Sequence, residues 1–399
     1  MIEKLSFHPN LADKPHAAYI GFQLCLEGPF SALCSDNVWK QRRKDFSNYL
    51  KKSRVENDYY KTFIKCSDRM VNIMLESSSG VDSNALCAAV AHDVALKSMF
   101  SIETSLVYHP EIVALLTRIK EVASILTLNS PIISPLFRIL QPLADIMFGK
   151  LVELRKLILG EIDNQLKSNQ QPLQEELPLS INMILRIRRD NESEKRMFKQ
   201  LHEVFLTSGH TVGTKLANVI SLLGVLPDIQ ERAWQEQDEI FGNDIRDPTI
   251  ADLNQMKFLD RFLKECYRFL GPPFLAKMAT ADINVDGITI PRGTLVIYLL
   301  RFIKLHPKYW RNPNIFDPDR FLDEDDYLKC SYTPFGIGVR SCPGEYFATM
   351  FMKITLSKIL RRLKLRPVEK DFRFEDIKFK SFLLLEVENS PMLEVEERI

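Results

Sequence analysis

The sequence predicts a mainly α fold with a small β region, an α+β class, on three observations. Long segments repeat apolar residues at three- and four-residue steps, strand-like stretches are few and come late, and 45% hydrophobic residues in a chain of 399 can bury a substantial core. Lys plus Arg (53) nearly balance Asp plus Glu (52), so no global field marks a nucleic-acid partner, and local clusters must carry any electrostatic recognition.

The helix-period segments are residues 149–165, 194–223 and 253–270. Residues 168–176 (SNQQPLQEE) are polar and contain Pro172, which predicts an exposed loop between helices and not a domain boundary. Residues 125–148 are apolar but interrupted by Pro131, Pro135 and Pro142, a pattern that suits a core connection or a surface loop dipping into lipid better than a spanning helix. Residues 283–290, which run into Pro291, Arg292 and Gly293, read as a strand. Residues 382–387 and 392–395, separated by Asn389, Ser390 and Pro391, read as a terminal hairpin. The first thirty residues hold neither an apolar run of the roughly 20 residues that cross a bilayer nor a basic-then-apolar signal segment.

Cysteines stand at 25, 34, 66, 87, 266, 330 and 342. An odd number without a C-x-x-C pair argues against a disulfide framework and a structural zinc site, and favours a reducing compartment. The most informative stretch is residues 334–344, PFGIGVRSCPG, followed by a helix-like run over 345–363. A thiolate on iron needs hydrogen bonds from nearby backbone N–H groups, and Gly336 and Gly338 permit the tight turns that bring such groups to sulfur. Cys342 is expected where a helix begins, with the dipole favouring the thiolate and Pro343 at the first helical position. Arg340 suits a haem carboxylate, and Phe335 suits the sulfur side of the ring.

Phe335, Gly338, Arg340, Cys342 and Gly344 match the pattern F-x-x-G-x-R-x-C-x-G at every fixed position, and through it the chain resembles the cytochrome P-450 monooxygenases over nearly its whole length. Glu265 and Arg268 form E-x-x-R on one helical face, and residues 316–321 (FDPDRF) resemble the family's P-x-R-F segment. The resemblance implies that Arg320 joins the Glu265–Arg268 pair in a buried network holding the cysteine loop, a structural role. Trp39 and Arg43 match the family's W-x-x-x-R helix, where both donate to a haem propionate. The proline pair Pro272 and Pro273, residues 290–294 (IPRGT) and His306-Pro307 before Trp310 follow the family's order. Where many members carry an arginine four residues after the proline pair, this chain has Lys277, which keeps the charge for a propionate but loses the bidentate fork.

The family's central helix carries [A/G]-G-x-[D/E]-T, whose acid and threonine deliver protons during dioxygen activation. Here residues 206–214 read LTSGHTVGT, and two registers fit. Matching Ser208-Gly209 to the small pair puts Thr211 at the acid position and Val212 at the threonine position. Matching Thr207-Ser208 puts His210 at the acid position and keeps Thr211; this register is preferred for function and the first for plain sequence similarity. His210 can relay a proton because imidazole titrates near neutral pH, while a histidine merely satisfied in a helix interior is the alternative.

The resemblance implies a single P-450 domain over residues 1–399, shortened at the amino terminus. Full-length members place a membrane anchor, a proline-rich hinge, the first helices and two strands ahead of the helix that carries Trp39. It implies b-type haem without covalent attachment, in keeping with the absence of C-x-x-C-H, and insertion of one oxygen atom from O2 into an apolar substrate. It also implies electrons from an NADPH-dependent reductase docking on the Cys342 face, where Lys40, Arg42, Lys44 and the exposed part of the last helix supply positive charge, since no flavin or nicotinamide fingerprint follows the haem region. A ferredoxin in a mitochondrial relative is the alternative. The expected location is the endoplasmic-reticulum membrane surface, with no nucleic-acid partner. A haem-thiolate isomerase or dehydratase acting on a peroxide, and a catalytically weak haem-binding protein, are the rival readings that the missing acid favours. Steroid, fatty acid and xenobiotic substrates all stay open.

Overall fold

The computed structural model describes residues 4–5, 7–11, 13, 37–114, 116, 160, 194–322, 331–381 and 384–398. The expected helix over 149–165, the polar loop 168–176, the apolar stretch 125–148 and Cys330 lie outside these residues. The chain divides into two compact units. The first comprises Met1–Asp13, Lys52–Cys87 and Thr214–Ile399, and the second comprises Lys14–Lys51 and Ala88–Gly213.

The helices are α1 (Asn37–Tyr49), α2 (Tyr60–Glu76), α3 (Ser83–Ala95), α4 (Glu194–Val225), α5 (Pro227–Phe241), α6 (Ile250–Gln255), α7 (Lys257–Phe269), α8 (Leu300–Lys304) and α9 (Glu345–Arg362). The strands are β1 (Leu275–Met278), β2 (Ile283–Val285), β3 (Ile288–Ile290), β4 (Leu295–Tyr298), β5 (Leu363–Pro367), β6 (Phe379–Ser381), β7 (Leu385–Val387) and β8 (Leu393–Glu397). They pair antiparallel as β1–β4, β2–β3, β5–β8 and β6–β7, so the mainly helical α+β class holds. Among the described residues no single helix is long and apolar enough to cross a membrane. Residues Thr207–Val225 and Pro227–Phe241 pass that test only as a pair, bent by 104°.

Three expected elements differ from those observed. The helix expected over 253–270 is two helices, α6 and α7, broken at Met256. The break has a cause from outside the segment: the Glu236 carboxylate, reaching from α5, accepts from the N–H groups of Phe258 and Leu259 (2.9 Å for Leu259), donors that a continuous helix would use itself. The strand expected over 283–290 is a hairpin whose two-residue turn, Asp286 and Gly287, has φ of 52° and 82°. Positive φ at both central residues gives the turn whose twist matches the flanking strands. The two strands of the expected terminal hairpin do not pair with each other: β7 pairs locally with β6, from Phe379↔Val387 to Ser381↔Leu385, and β8 pairs with the distant β5 in the register Leu363↔Glu397 to Pro367↔Leu393.

The core of the first unit lies between α2 and α9. Phe63 meets Phe347 edge-on (4.8 Å between centroids) and Phe351 at 5.5 Å, and the buried Ser67 and Thr355 hydroxyls pair at 2.8 Å. Polar side chains also stand in for strand partners. Asn218 on α4 donates to the Leu385 carbonyl (3.0 Å) and accepts from the Val387 N–H (3.1 Å), satisfying both backbone groups of β7 on that side. In the second unit Phe205 of α4 packs between His92 (4.9 Å) and Phe100 (6.4 Å).

Candidate functional site

The cysteine loop is folded by its own backbone. Gly336 and Gly338 have φ of 80° and 71°, a region open to glycine at little steric cost. With those turns in place the Cys342 N–H donates to the Phe335 carbonyl (2.7 Å) and the Ser341 N–H to the Gly338 carbonyl (2.9 Å), closing the loop around residues 335–342. Cys342 is exposed, while Cys66, Cys87 and Cys266 are buried. Burial pushes the Cys87 and Cys266 thiols well up, which leaves them inert. The helix starts later than expected. Gly344 is the N-cap and Glu345 the first residue of α9, so Pro343 precedes the cap instead of occupying the first helical position. Cys342 thus stands three residues before the first residue of α9, outside the helix, where the dipole's effect falls off.

Behind this loop, the Phe335 ring meets Tyr267 of α7 edge-on at 5.3 Å, and the Tyr267 hydroxyl donates to the Met352 sulfur of α9 at 3.3 Å. Two residues before Tyr267, Glu265 is the centre of the expected network. Arg268 donates to it through Nε and Nη2, both at 2.7 Å, and Arg320 through Nε at 3.1 and 3.2 Å. The Asp317 N–H adds a further bond at 2.9 Å. The outer guanidinium nitrogens donate to the carbonyls of Lys304, Pro313, Arg311 and Ile315 at 2.6–2.9 Å. One carboxylate and two guanidinium groups thus tie α7 to the 3-10 turn Pro318–Phe321 with most hydrogen-bonding capacity used, the condition under which buried charge is tolerated.

The remaining expected site residues lie on other elements. Lys277 is buried on β1, its ammonium 5.9 Å from the centre of the Tyr298 ring. Trp39 is buried on α1 and Arg43 is half-buried one turn later. On α4, His210 is half-buried, Thr211 is exposed and Val212 is buried. Phe335, Arg340 and Cys342 are therefore brought together on one loop of the first unit, whereas Trp39, Arg43, His210 and Thr211 belong to the second. Sequence reasoning missed His92, which packs against α4 at Gly209, and Lys304, buried beside Arg268. The one available signal for His92 was the polar pair His92-Asp93 set in the otherwise apolar run of α3.

The profile of the cytochrome P-450 family matches residues 22–392. The chain belongs to the cytochrome P-450 family. Among curated P-450 proteins it is 37% identical to cytochrome P-450 4c21 of Blattella germanica over 209 residues, 51% of this chain and 40% of that protein. It is 34% identical to cytochrome P-450 4g15 of Drosophila melanogaster over 206 residues, 50% of this chain and 35% of that one. It is also 34% identical to the steroid 17-alpha-hydroxylase/17,20 lyase of Squalus acanthias over 209 residues, 48% of this chain and 41% of that protein. The matched region therefore spans well under half the length of these relatives.

P-450 membership implies a haem cofactor. The chemistry of the donor set fits one: the loop presents an exposed thiol, two residues after an arginine, and a cysteine thiolate is one of the axial ligands haem iron accepts.

Proposed function

We propose that this P-450 is a haem-thiolate monooxygenase that inserts one oxygen atom from O2 into an apolar organic substrate, with electrons from a separate reductase. The exposed Cys342 on a loop closed by its own backbone and braced through Phe335 and Tyr267 carries the reading. Cys342 would hold the iron as thiolate, Phe335 would cover the sulfur side, and Arg340, Lys277, Trp39 and Arg43 would bind the propionates. When bound, b-type haem supplies the activation of dioxygen, which electron donation from the thiolate promotes. His210 would hold a proton and Thr211 would orient it for delivery during oxygen activation. In support of that register, Thr211 is exposed where Val212, the residue at the threonine position in the other register, is 8% exposed.

The donor is an NADPH-dependent reductase, or a ferredoxin in a mitochondrial setting, and the exposed Lys40 and Lys44 supply charge for docking. The protein works at the endoplasmic-reticulum membrane surface, where apolar substrates partition. A second reading, rearrangement of a peroxide without external electrons, is favoured by the lack of any carboxylate in residues 206–214.

The test is the spectrum of the reduced protein with carbon monoxide. A thiolate-type band is expected, abolished by Cys342→Ala and kept in Cys330→Ala. A histidine-type band, or folded protein that takes up no haem, sinks the proposal. Turnover of a lipid peroxide without reductase, and no NADPH consumption with it, decides for the second reading.

A further inference from the structure

Helix α3 meets α4 through a contact closer than side chains normally allow. His92 is 2% exposed, and its ring packs against Phe205 at 4.9 Å with the planes 61° apart. Its Nδ1 lies 2.7 Å from the Ala88 carbonyl; a carbonyl only accepts, so Nδ1 carries the proton and Nε2 keeps its lone pair. That bond to its own helix fixes how the ring is turned. The ring edge then fills the space where Gly209 has no side chain: a Cβ at 209 would overlap Cδ2 and stand 2.6 Å from Cγ and 2.7 Å from Nε2. Burial pushes the imidazole down to about 4, so the ring stays neutral through the physiological range.

Phe205 and Gly209, four residues apart, lie on one face of α4, and Val212 extends it. Thr211 is turned roughly 200° from Gly209 about the helix axis, onto the opposite side. A helix with a notch on one face, filled by a ring anchored on its neighbour, has its rotation and height set at that point. We propose that His92 is a positioning residue: seated in the Gly209 notch, it sets where His210 and Thr211 stand. This rests on the proton-delivery role given to those two residues above. A bulkier residue at 209, or a smaller one at 92, is expected to shift α4 and misplace Thr211 without touching the reacting atoms.

Size exchange tests this with two readouts. The first is hydrogen exchange of residues 205–213 in the haem-free protein, and the second is peroxide release by the haem-loaded, chemically reduced protein in air, as a function of pH. Alanine is the better helix former, so any protection lost in Gly209→Ala has to come from the collision with the ring. Protection is expected to fall on the order of tenfold, peroxide release to rise by a similar factor with an altered pH profile, and His92→Ala added to Gly209→Ala to restore most of both. Should Gly209→Ala fail to fold, His92→Ala alone must reproduce the loss by opening the notch. Strictly additive effects on exchange, or rescue of exchange with a peroxide profile identical in all variants, overturns the proposal and leaves His92 as packing. If wild-type protein shows no thiolate-type band, the monooxygenase reading falls, and the exchange data alone decide whether His92 holds α4.

Discussion

Arg268 and Lys304 are neighbours with opposite surroundings. Both are about 1% exposed, and Arg268 Nη1 donates to the Lys304 carbonyl at 2.8 Å. Arg268 meets a carboxylate through two nitrogens and spends the rest on carbonyls, whereas Lys304 Nζ has no hydrogen-bond partner among the described residues and lies against Gly271 with Lys215, Arg268 and Arg301 around it. Burial, then those three cations, pushes the lysine down to about 7. A guanidinium fork compensated on all sides can stay charged in the interior; an ammonium without a counter-charge gives up its proton instead. Charge compensation, more than burial, separates a structural centre from a liability.

The largest effect should follow from breaking the compensated side. Glu265→Gln keeps the shape but strands Arg268 and Arg320, whose side chains are 0% and 7% exposed. A loss of roughly 3–5 kcal/mol is expected in chemical denaturation, with haem uptake falling alongside. If Glu265→Gln unfolds like the wild type, the network does not stabilise this junction.

That centre was legible in the sequence, and the reason is physical. Glu265 and Arg268 are one helical turn apart, so local geometry alone aligns them, and the resemblance of FDPDRF identified the third member, Arg320. The cysteine loop was legible for the same kind of reason, because only glycine takes the φ values at 336 and 338 without strain. What escaped depends on residues distant in the chain. The break at Met256 comes from Glu236 on another helix, and β8 pairs with β5 across a separation that no hydrophobic alternation encodes. The pocket of Lys304 is formed by Gly271, Lys215 and Arg301 from three different segments.

Lys304→Met sharpens the comparison from the other side, and with the opposite sign. The folded value near 7 lies below the unfolded value of 10.5. The lysine's contribution to stability is therefore complete above about 10.5, is lost as pH falls toward 7, and is flat below that. At pH 7 the methionine variant should be more stable by roughly 4 kcal/mol, and its advantage should shrink steadily as pH rises toward 10. Thermal unfolding at a series of pH values checks this; an advantage independent of pH would mean that packing, not the proton, distinguishes the two side chains.

His92 extends the same comparison to a neutral group in the second unit. Like Lys304 it is buried with one nitrogen unpartnered among the described residues, but it starts from an unfolded value of 6.5 and is pushed down to about 4 chiefly by burial, the bond to Ala88 opposing. The sign is again that of a depressed base: the stability it contributes is present above 6.5 and is lost as pH falls through 4. Carboxylates titrate over the same range, so the informative quantity is the difference between wild type and His92→Phe. That difference should move against the wild type by roughly 2–3 kcal/mol between pH 7 and pH 4 in equilibrium denaturation. Parallel curves would show that the imidazole is protonated in the folded protein at ordinary values, and a ring that charges so easily could not lie sealed against Gly209.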